Sequence, residues 1–289
     1  MPKAVPVLEN TNGSIPVVVD PVYAATQDVK ASIVLLSPSE VRFLVDAYYL
    51  AQENRKRASN QAQALFKDEE PNDLVAWLGE QNDRVERSLR SALQAFANNK
   101  PLGLWAQGIK GIGPVITAGL LAHIDITRAP TVGHIWRFAG QDPTDEWKAH
   151  EKRPWNASLK RLCWIIGESF VKVSNLPDDI YGKVYRNRKE LEESRNANGL
   201  FADQAADKLK RVKIGHSTDA YKAYSKGLLP PAHIHARAKR YAVKLFLAHY
   251  HHVAYELEYG KPPPLPYILA QQGHAHFIAP PKWPVRVAR

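Results

Sequence analysis

Apolar residues recur at helical spacing in nearly every stretch of this chain that shows a regular pattern. One such series, at positions i, i+3, i+4 and i+7, comprises Val41, Leu44, Val45 and Tyr48. Residues at this spacing share one face of a helix. The only strand candidates are short segments near the N-terminus, including VVVD. The pattern therefore predicts a mainly α fold.

Four segments are predicted along the chain. Residues 1–36 carry four prolines and are expected to form an extended arm, and residues 261–289 form a Pro-rich tail. Residues 37–99 carry two amphipathic patterns separated by a polar turn, which predicts a coiled-coil-like helical hairpin and offers a surface for a homodimer. Residues 100–260 are expected to form a compact basic helical domain.

Local signals place the helices of the predicted hairpin. Ser37 can cap the first helix, Pro38 suits its first turn, and Glu40 stands where a capping box places its acid. The second helix is expected to carry one apolar side, made of Leu74, Trp77, Leu78, Val85, Leu89, Leu93 and Phe96.

Two apolar patterns predict further helices in the basic domain. The first marks a buried helix and comprises Leu159, Leu162, Ile165, Ile166 and Phe170. The second predicts one face of a long last helix and comprises Ile234, Ala238, Tyr241, Leu245, Ala248, His252 and Tyr255. Gly260 is expected to end that helix, because glycine readily adopts the left-handed conformation found after a helix.

The stretch GIKGIGPVITAGLL, residues 108–121, predicts a tight hairpin that opens a helix. Gly111 and Gly113 permit a positive φ or a close backbone approach, and Pro114 suits a first helical turn. The N–H groups at such a helix start are unpaired and favour an anion the size of a phosphate. Ile116 stands where a dinucleotide fingerprint needs its third glycine, and no Gly-Lys-Ser/Thr follows as in a P-loop.

A helix-hairpin-helix is the remaining interpretation of this stretch. Its main chain would contact a nucleic-acid backbone without reading the base sequence. The residues assigned to that contact are Lys110, Gly111, Ile112, Gly113 and Thr117. An ordinary turn between packed helices is the alternative.

Charge is distributed unevenly along the chain. Residues 1–99 hold 10 Lys/Arg against 13 Asp/Glu, a net of −3, whereas residues 100–289 hold 29 against 16, a net of +13. A half this basic, with Trp and Tyr among its cations, favours a polyanion, with DNA as the expected partner and RNA as an alternative.

Two basic clusters are assigned to nucleic-acid contact. The first comprises Lys152, Arg153, Trp155, Lys160 and Arg161, a mixture suited to phosphate contact and stacking. The second is a stripe on the last helix and comprises Arg237, Arg240 and Lys244. The alternative is that Trp155 belongs to the core and that the stripe is simply solvated.

The motifs IKGIGPVITAGLLAHI, FAGQDP and NASLKRL, followed by a long basic helix and Pro-rich sequence, resemble a known family. They are similar to the C-terminal transposase domain of the DEDD-type insertion-sequence transposases, which include the RNA-bridged DNA recombinases. The resemblance covers residues 37–270 and is strongest at residues 105–170. It implies a DNA-binding protein of a mobile genetic element, with a role in transposition and DNA recombination.

The resemblance also implies catalytic parts that this sequence does not supply. The family has an N-terminal RuvC-like nuclease domain with four acids that bind magnesium, and only Asp20 stands in a similar position here. The family's serine nucleophile is absent from TDEWKAHEKRPW, which leaves Thr144 and Ser158 as weak catalytic candidates. We therefore expect a DNA-binding protein. The alternatives are a strand-transfer recombinase whose magnesium-dependent nuclease is another chain, or an RNA-binding relative.

Other metal and polar patterns are weaker. His249, His252 and Glu256 could share a helix face, but packed or hydrogen-bonded histidines are the favoured interpretation, so no metal or cofactor is assigned. Two further pairs, His233 with His235 and His274 with His276, would share a face only in extended structure. An acidic patch, interpreted as surface salt bridges, comprises Asp142, Asp145 and Glu146.

The composition restricts the expected compartment. Cys163 is the only cysteine, which excludes an intrachain disulfide and a cysteine-based zinc cluster and favours a reducing interior. The chain has no apolar run of 18 residues and no apolar core of signal-peptide length. These features predict a cytoplasmic protein, not associated with a membrane. The resemblance to insertion-sequence transposases implies a bacterial or phage genome.

Overall fold

A computed structural model describes residues 32–70, 72–145, 147–148, 150–264 and 278–284. Within these ranges the chain is mainly α, as predicted, and contains no strand. The α-helices are α1 (Pro38–Lys67), α2 (Asp73–Asn98), α3 (Pro101–Gln107), α4 (Pro114–His123), α5 (Val132–Phe138), α6 (Ala157–Val173), α7 (Tyr181–Ala197), α8 (Ala202–Arg211), α9 (Asp219–Ser225) and α10 (Pro231–Tyr259). Two 3-10 helices cover Ser32–Leu35 and Ile126–Arg128. Asp20, Glu146, His274 and His276 lie outside the described residues.

The first two long helices begin where their capping residues predict. Ser37 N–H donates to Glu40 Oε2 at 2.7 Å, and Glu40 N–H donates to Ser37 Oγ at 3.4 Å, which completes the predicted capping box. Asn72 caps α2 by accepting from Val75 N–H at 3.1 Å. α1 and α2 pack along each other. Their predicted coiled-coil character and homodimer stay predictions.

The predicted apolar side of α2 is covered by the described fold only in its second half. Leu74 and Leu78 are 71% and 48% exposed, whereas Leu93 and Phe96 are buried. The reason is that the core contacts of α1 and α2 lie at the base of the pair, where α4 packs against both helices. The core at that base comprises Ile33, Val41, Val45, Tyr48, Leu93, Phe96, Val115, Ala118 and Ala122.

The predicted arm is not extended at its end. Ser32–Leu35 form a 3-10 helix, and the side chain of Ile33 is buried in the core at the base of α1 and α2. Burial of this apolar side chain stabilises the packing of the turn against α1 and α2.

The main core surrounds α10, which packs against α3, α5, α6 and α7. Its aromatic centre includes Trp105 stacked on Phe246, with ring centroids 6.1 Å apart, and Phe170 stacked on Tyr181 at 4.9 Å. The helix ends at Gly260, whose φ of +66° confirms the predicted left-handed stop. The buried helix predicted from Leu159 onward is α6.

The predicted face of α10 is wrong in part. Tyr241 is 41% exposed, and Leu245 is only half-buried. The buried residues of this helix are Ile234, Ala238, Ala242, Val243, Phe246, Leu247, His249, Tyr250, His251, Val253 and Ala254. Because several helices surround α10, its buried part is wider than the single stripe that the periodicity predicts.

The described part of the predicted tail packs back on the helices. Trp105 Nε1 donates to the carbonyl of Pro281 at 2.8 Å, and Lys282 Nζ donates to the carbonyl of Gly108 at 2.6 Å. Trp283 Nε1 donates to Glu256 Oε2 at 2.5 Å. Residues 281–283 therefore tie the loop after α3 to the end of α10.

Two properties of the described residues bear on function. Among the residues that the structure describes, no helix combines the length and the apolar character needed to cross a membrane. Cys163 is buried, and burial raises the pKa of its thiol to about 12, which keeps the thiol protonated and unreactive.

Candidate nucleic-acid interface

Gly111 determines the conformation of the loop between α3 and α4. Gly111 has a φ of +91°, as the prediction allows, and an added Cβ would lie 3.2 Å from both Ser169 Oγ and Val173 Cγ2. Ser169 Oγ donates to the Gly111 carbonyl at 2.5 Å. Residue 111 therefore needs glycine for its conformation and for its close contact with α6.

The second glycine has a different role. Gly113 is the N-cap of α4, with φ −88° and ψ 175°, and an added Cβ would meet no atom within 4 Å. Within the described chain, neither a positive φ nor a close neighbour therefore requires glycine at this position, and the close approach of another backbone stays a prediction. No side chain caps α4, so its first N–H groups stay available to an anion at the positive end of the helix.

A cleft of about 670 Å³ opens beside this helix start. It lies between the α3–α4 loop, α6, and the two long helices α1 and α2. Its lining residues are Tyr48, Tyr49, Gln52, Glu53, Lys56, Arg90, Gly111, Gly113, Pro114, Val115, Ile116, Arg161, Trp164, Ile165, Glu168, Ser169 and Lys172. We call this the hairpin cleft.

The hairpin cleft is positively charged. Its four basic side chains are Lys56, Arg90, Arg161 and Lys172, against two acids, Glu53 and Glu168. Glu168 forms an ion pair with Lys239 of α10, which neutralises one of the acids. The guanidinium of Arg161 lies 5.6 Å from the ring centroid of Tyr49, so this aromatic wall holds a cation in place.

The structure brings only some of the predicted contact residues into this cleft. Gly111, Gly113 and Arg161 line it, whereas Lys110 is exposed on the other side of the loop, near Asp178 and Lys282.

Two predicted contact residues have buried side chains. Ile112 packs in the main core, and the side chain of Thr117 is buried and donates to the Gly113 carbonyl at 3.0 Å. Neither side chain is therefore available to a ligand, and the predicted main-chain contact of the loop stays a prediction. Ile112 anchors the loop in the core, and Thr117 forms a hydrogen bond within the first turn of α4.

A second basic surface lies at the start of α6. Lys160 Nζ lies 3.5 Å from the ring centroid of Trp155, and the guanidinium of Arg153 lies 5.5 Å from that of Trp147. Burial, with Arg153 and Arg240 nearby, lowers the pKa of Lys160, so these three cations share one neighbourhood. We call Arg153, Trp155, Lys160 and Arg240 the Trp155 surface. Lys152 is exposed in the loop before α6.

The predicted stripe on α10 is divided between different roles. Arg237 Nε donates to the buried Glu192 at 2.7 Å, and its guanidinium lies 4.6 Å from the ring centroid of Phe201. The ammonium of Lys244 lies 4.2 Å from the ring centroid of Trp136, and burial lowers its pKa. Arg237 thus holds α7, α8 and α10 together through Glu192 and Gln204, and its predicted contact with nucleic acid stays a prediction.

The two weak catalytic candidates lie apart from the hairpin cleft. Thr144 is exposed, and its N–H and hydroxyl donate to Asp142 Oδ1 at 3.0 and 2.7 Å, which holds the pKa of that carboxyl below its ordinary value. Ser158 is exposed in the first turn of α6. In the predicted acidic patch, Asp145 accepts from Arg137 Nε at 3.1 Å.

The candidate metal-binding histidines form hydrogen bonds. His249 Nε2 donates to the Ile278 carbonyl at 2.8 Å, so Nδ1 accepts from the Tyr181 hydroxyl at 2.6 Å, and burial lowers the pKa of His249 to about 4. His252 Nε2 lies 2.9 Å from Glu256 Oε1. Within the described ranges, no group of three or more His, Cys, Asp or Glu residues is placed to hold a metal ion.

The second pair of histidines bonds to tyrosines in the same way. His233 Nδ1 lies 3.1 Å from the Tyr224 hydroxyl, and His235 Nδ1 lies 2.7 Å from the Tyr185 hydroxyl. Both lie on α10, so their spacing is helical and they do not form the extended pair considered from the sequence.

Sequence reasoning missed four residues of the hairpin cleft, Lys56, Arg90, Trp164 and Lys172. A signal existed on α1, where Tyr49 and Lys56 are seven residues apart and therefore share a helix face. Nothing in the local sequence indicates that this face would lie opposite residues 111–116, because that depends on how the helices pack.

Comparisons with protein-family models, with curated proteins and with solved structures give no match for this chain. The chemistry of the hairpin cleft is therefore the basis for assigning a function.

Proposed function

We propose that this protein binds nucleic acid, with DNA as the expected partner, and that the hairpin cleft holds the phosphate backbone. One observation carries the proposal. The uncapped start of α4 lies in the same cleft as four basic side chains, which come from three different helices. Such a convergence places several donors and positive charges along a short stretch of phosphate backbone.

The chemistry of each group suits a phosphate. The first N–H groups of α4 can donate to phosphate oxygens, and the helix dipole adds a partial positive charge. Arg161 and Arg90 can donate two parallel hydrogen bonds to a phosphate, whereas Lys56 and Lys172 act as mobile point charges. Contacts of this kind position a backbone but do not read its sequence, so we expect weak sequence preference.

The Trp155 surface is proposed to extend the footprint. Lys160 and Arg161 are neighbours on α6, yet Lys160 contacts Trp155 and Arg161 contacts Tyr49 in the cleft. The two surfaces thus begin at adjacent residues of α6, and we expect a bound backbone that extends beyond the cleft to reach Lys160, Arg153 and Arg240 around that helix. The transposase-like ancestry expected from the sequence agrees with this use of the surface and belongs to the same proposal.

The proposal is tested by measuring affinity for duplex DNA and for structured RNA across a salt series. Four phosphate contacts predict that log affinity falls with log salt with a slope of about −3.6 for duplex DNA. Lys172→Ala is expected to make the slope of log affinity against log salt less negative by about 1. Lys226→Ala removes an exposed lysine that does not line the cleft and is the matched control.

Two results would contradict this assignment. Binding that does not depend on salt would exclude backbone contact, and an equal effect of Lys172→Ala and Lys226→Ala would place the contact elsewhere. Incubation of the best ligand with magnesium is expected to give no strand cleavage by this chain alone. Cleavage would favour the recombinase alternative and direct mutagenesis to Thr144 and Ser158.

A further inference from the structure

Trp164 is an exposed aromatic ring in the wall of the hairpin cleft. It is 62% exposed and is the most exposed of the seven tryptophans in this chain. It lies on α6 three residues after Arg161, so the two side chains are neighbours on the helix surface. The cleft therefore presents a large open ring directly beside a phosphate-binding cation.

The packing of the protein does not account for this exposure. Among the described residues, the charged group that lies over the ring is Lys239 Nζ, 5.8 Å from the centroid, and Lys239 is also paired with Glu168. Most of the ring faces solvent, unlike Trp105 and Trp155, which are covered by the core and by Lys160. An exposed ring of this size gains free energy when a flat apolar partner covers it.

A nucleotide base is such a partner, but only when it is unpaired. In an intact duplex, the faces of the bases are stacked on one another, and a side chain in the groove meets only their edges. An unpaired strand can place its phosphate against Arg161 and the start of α4 and turn the adjacent base onto Trp164. Stacking of this kind contributes about 1 to 3 kcal/mol per base and tolerates any base sequence.

We infer that the hairpin cleft takes an unpaired nucleic-acid strand in preference to an intact duplex, with one base stacked on Trp164. The inference rests on the proposed function and narrows its ligand. The backbone contacts would serve both kinds of ligand, whereas the stacking contact would serve only the unpaired strand. The unpaired strand could be DNA or RNA, so the two are tested separately.

The test compares one oligonucleotide sequence as single-stranded DNA, as single-stranded RNA and as duplex DNA, bound to the full chain. Trp164→Leu is expected to weaken binding of the unpaired strands by about 5- to 100-fold, which corresponds to the loss of one stacked base, with little effect on the duplex. Trp164→Phe is expected to restore part of the loss. Tyr241→Leu is the matched control, because Tyr241 is an exposed ring beside an arginine that does not line the cleft.

The outcomes separate this inference from the proposed function. The inference is supported if the wild type prefers the unpaired strand, as DNA or as RNA, over the duplex. That preference should be lost in Trp164→Leu and kept in Tyr241→Leu. Equal binding of duplex and single strand, or an equal loss for both in Trp164→Leu, overturns it while leaving salt-dependent backbone binding intact. Absence of any salt-dependent binding would instead overturn the proposed function itself.

Discussion

Gly113→Asp is expected to weaken nucleic-acid binding by about 10- to 100-fold, equivalent to the loss of one charge-assisted hydrogen bond, without destabilising the fold. The backbone of Gly113 already has the extended conformation of an N-cap, and the position of its missing Cβ is open. An aspartate here can accept from the first N–H groups of α4, which the proposal assigns to the phosphate. It also places a negative charge in the hairpin cleft.

Two further substitutions at this position separate the causes. Gly113→Asn provides the same capping acceptor without the charge, and Gly113→Ala adds only a methyl group in open space. We expect the Ala variant to bind most tightly of the three, the Asn variant less tightly and the Asp variant least tightly. The thermal unfolding temperatures of the Asn and Asp variants should equal or exceed that of the wild type. Unchanged affinity in all three variants would remove the start of α4 from the binding site.

Gly103→Ala is expected to reduce the free energy of unfolding by about 3 to 5 kcal/mol, which is large for a single methyl group. An added Cβ would lie 2.0 Å from the carbonyl oxygen of Ala97 and 2.9 Å from its carbonyl carbon. Both are backbone atoms at the end of α2, so relief requires moving one helix relative to the other. This clash exceeds the gain of about 1 kcal/mol that alanine normally brings to a helix interior.

Gly79→Ala is the matched control for this prediction. Gly79 also lies within a helix, and the nearest atom to its added Cβ is Ala58 Cβ at an ordinary 3.7 Å. Chemical denaturation should show stabilisation of about 0.5 to 1 kcal/mol for Gly79→Ala. If Gly103→Ala instead unfolded at the same denaturant concentration as the wild type, the close packing of α3 on the end of α2 would be incorrect.

Local signals were sufficient to predict three of the helix boundaries. Ser37 with Glu40, Pro114 after Gly113, and Gly260 mark helix ends through interactions within a few residues, and each boundary lies where the sequence predicts it. Such signals depend on backbone groups that only nearby residues can satisfy. The mainly α class follows from the same periodicity.

The packing of those helices could not be predicted in the same way. The first half of α2 exposes Leu74 and Leu78 because no other described helix covers them, which the apolar pattern alone does not indicate. α10 is buried over a wide surface because it lies among other helices, and Arg237 is engaged by Glu192 of another helix. These outcomes depend on contacts between residues far apart in the sequence.

The candidate site was likewise predictable only where its residues are close together in the sequence. Residues 111–113 were found from the sequence because a glycine-rich turn before a proline has a local meaning. Lys56 and Arg90 belong to helices that precede the loop by tens of residues, so only the fold places them beside it. Arg161 was predicted, but its neighbour Lys160 faces a different surface, as adjacent residues on a helix do.

Amide hydrogen exchange of the full chain, with and without a saturating oligonucleotide, tests the central claim most directly. The N–H groups of Val115 and Ile116 lack a side-chain cap in the free protein, and bound phosphate would satisfy them. We expect slower exchange at Gly113, Val115 and Ile116, with no change in α8, which contributes no residue to the cleft. Protection elsewhere, with exchange at the start of α4 unchanged while the oligonucleotide is bound, would contradict it.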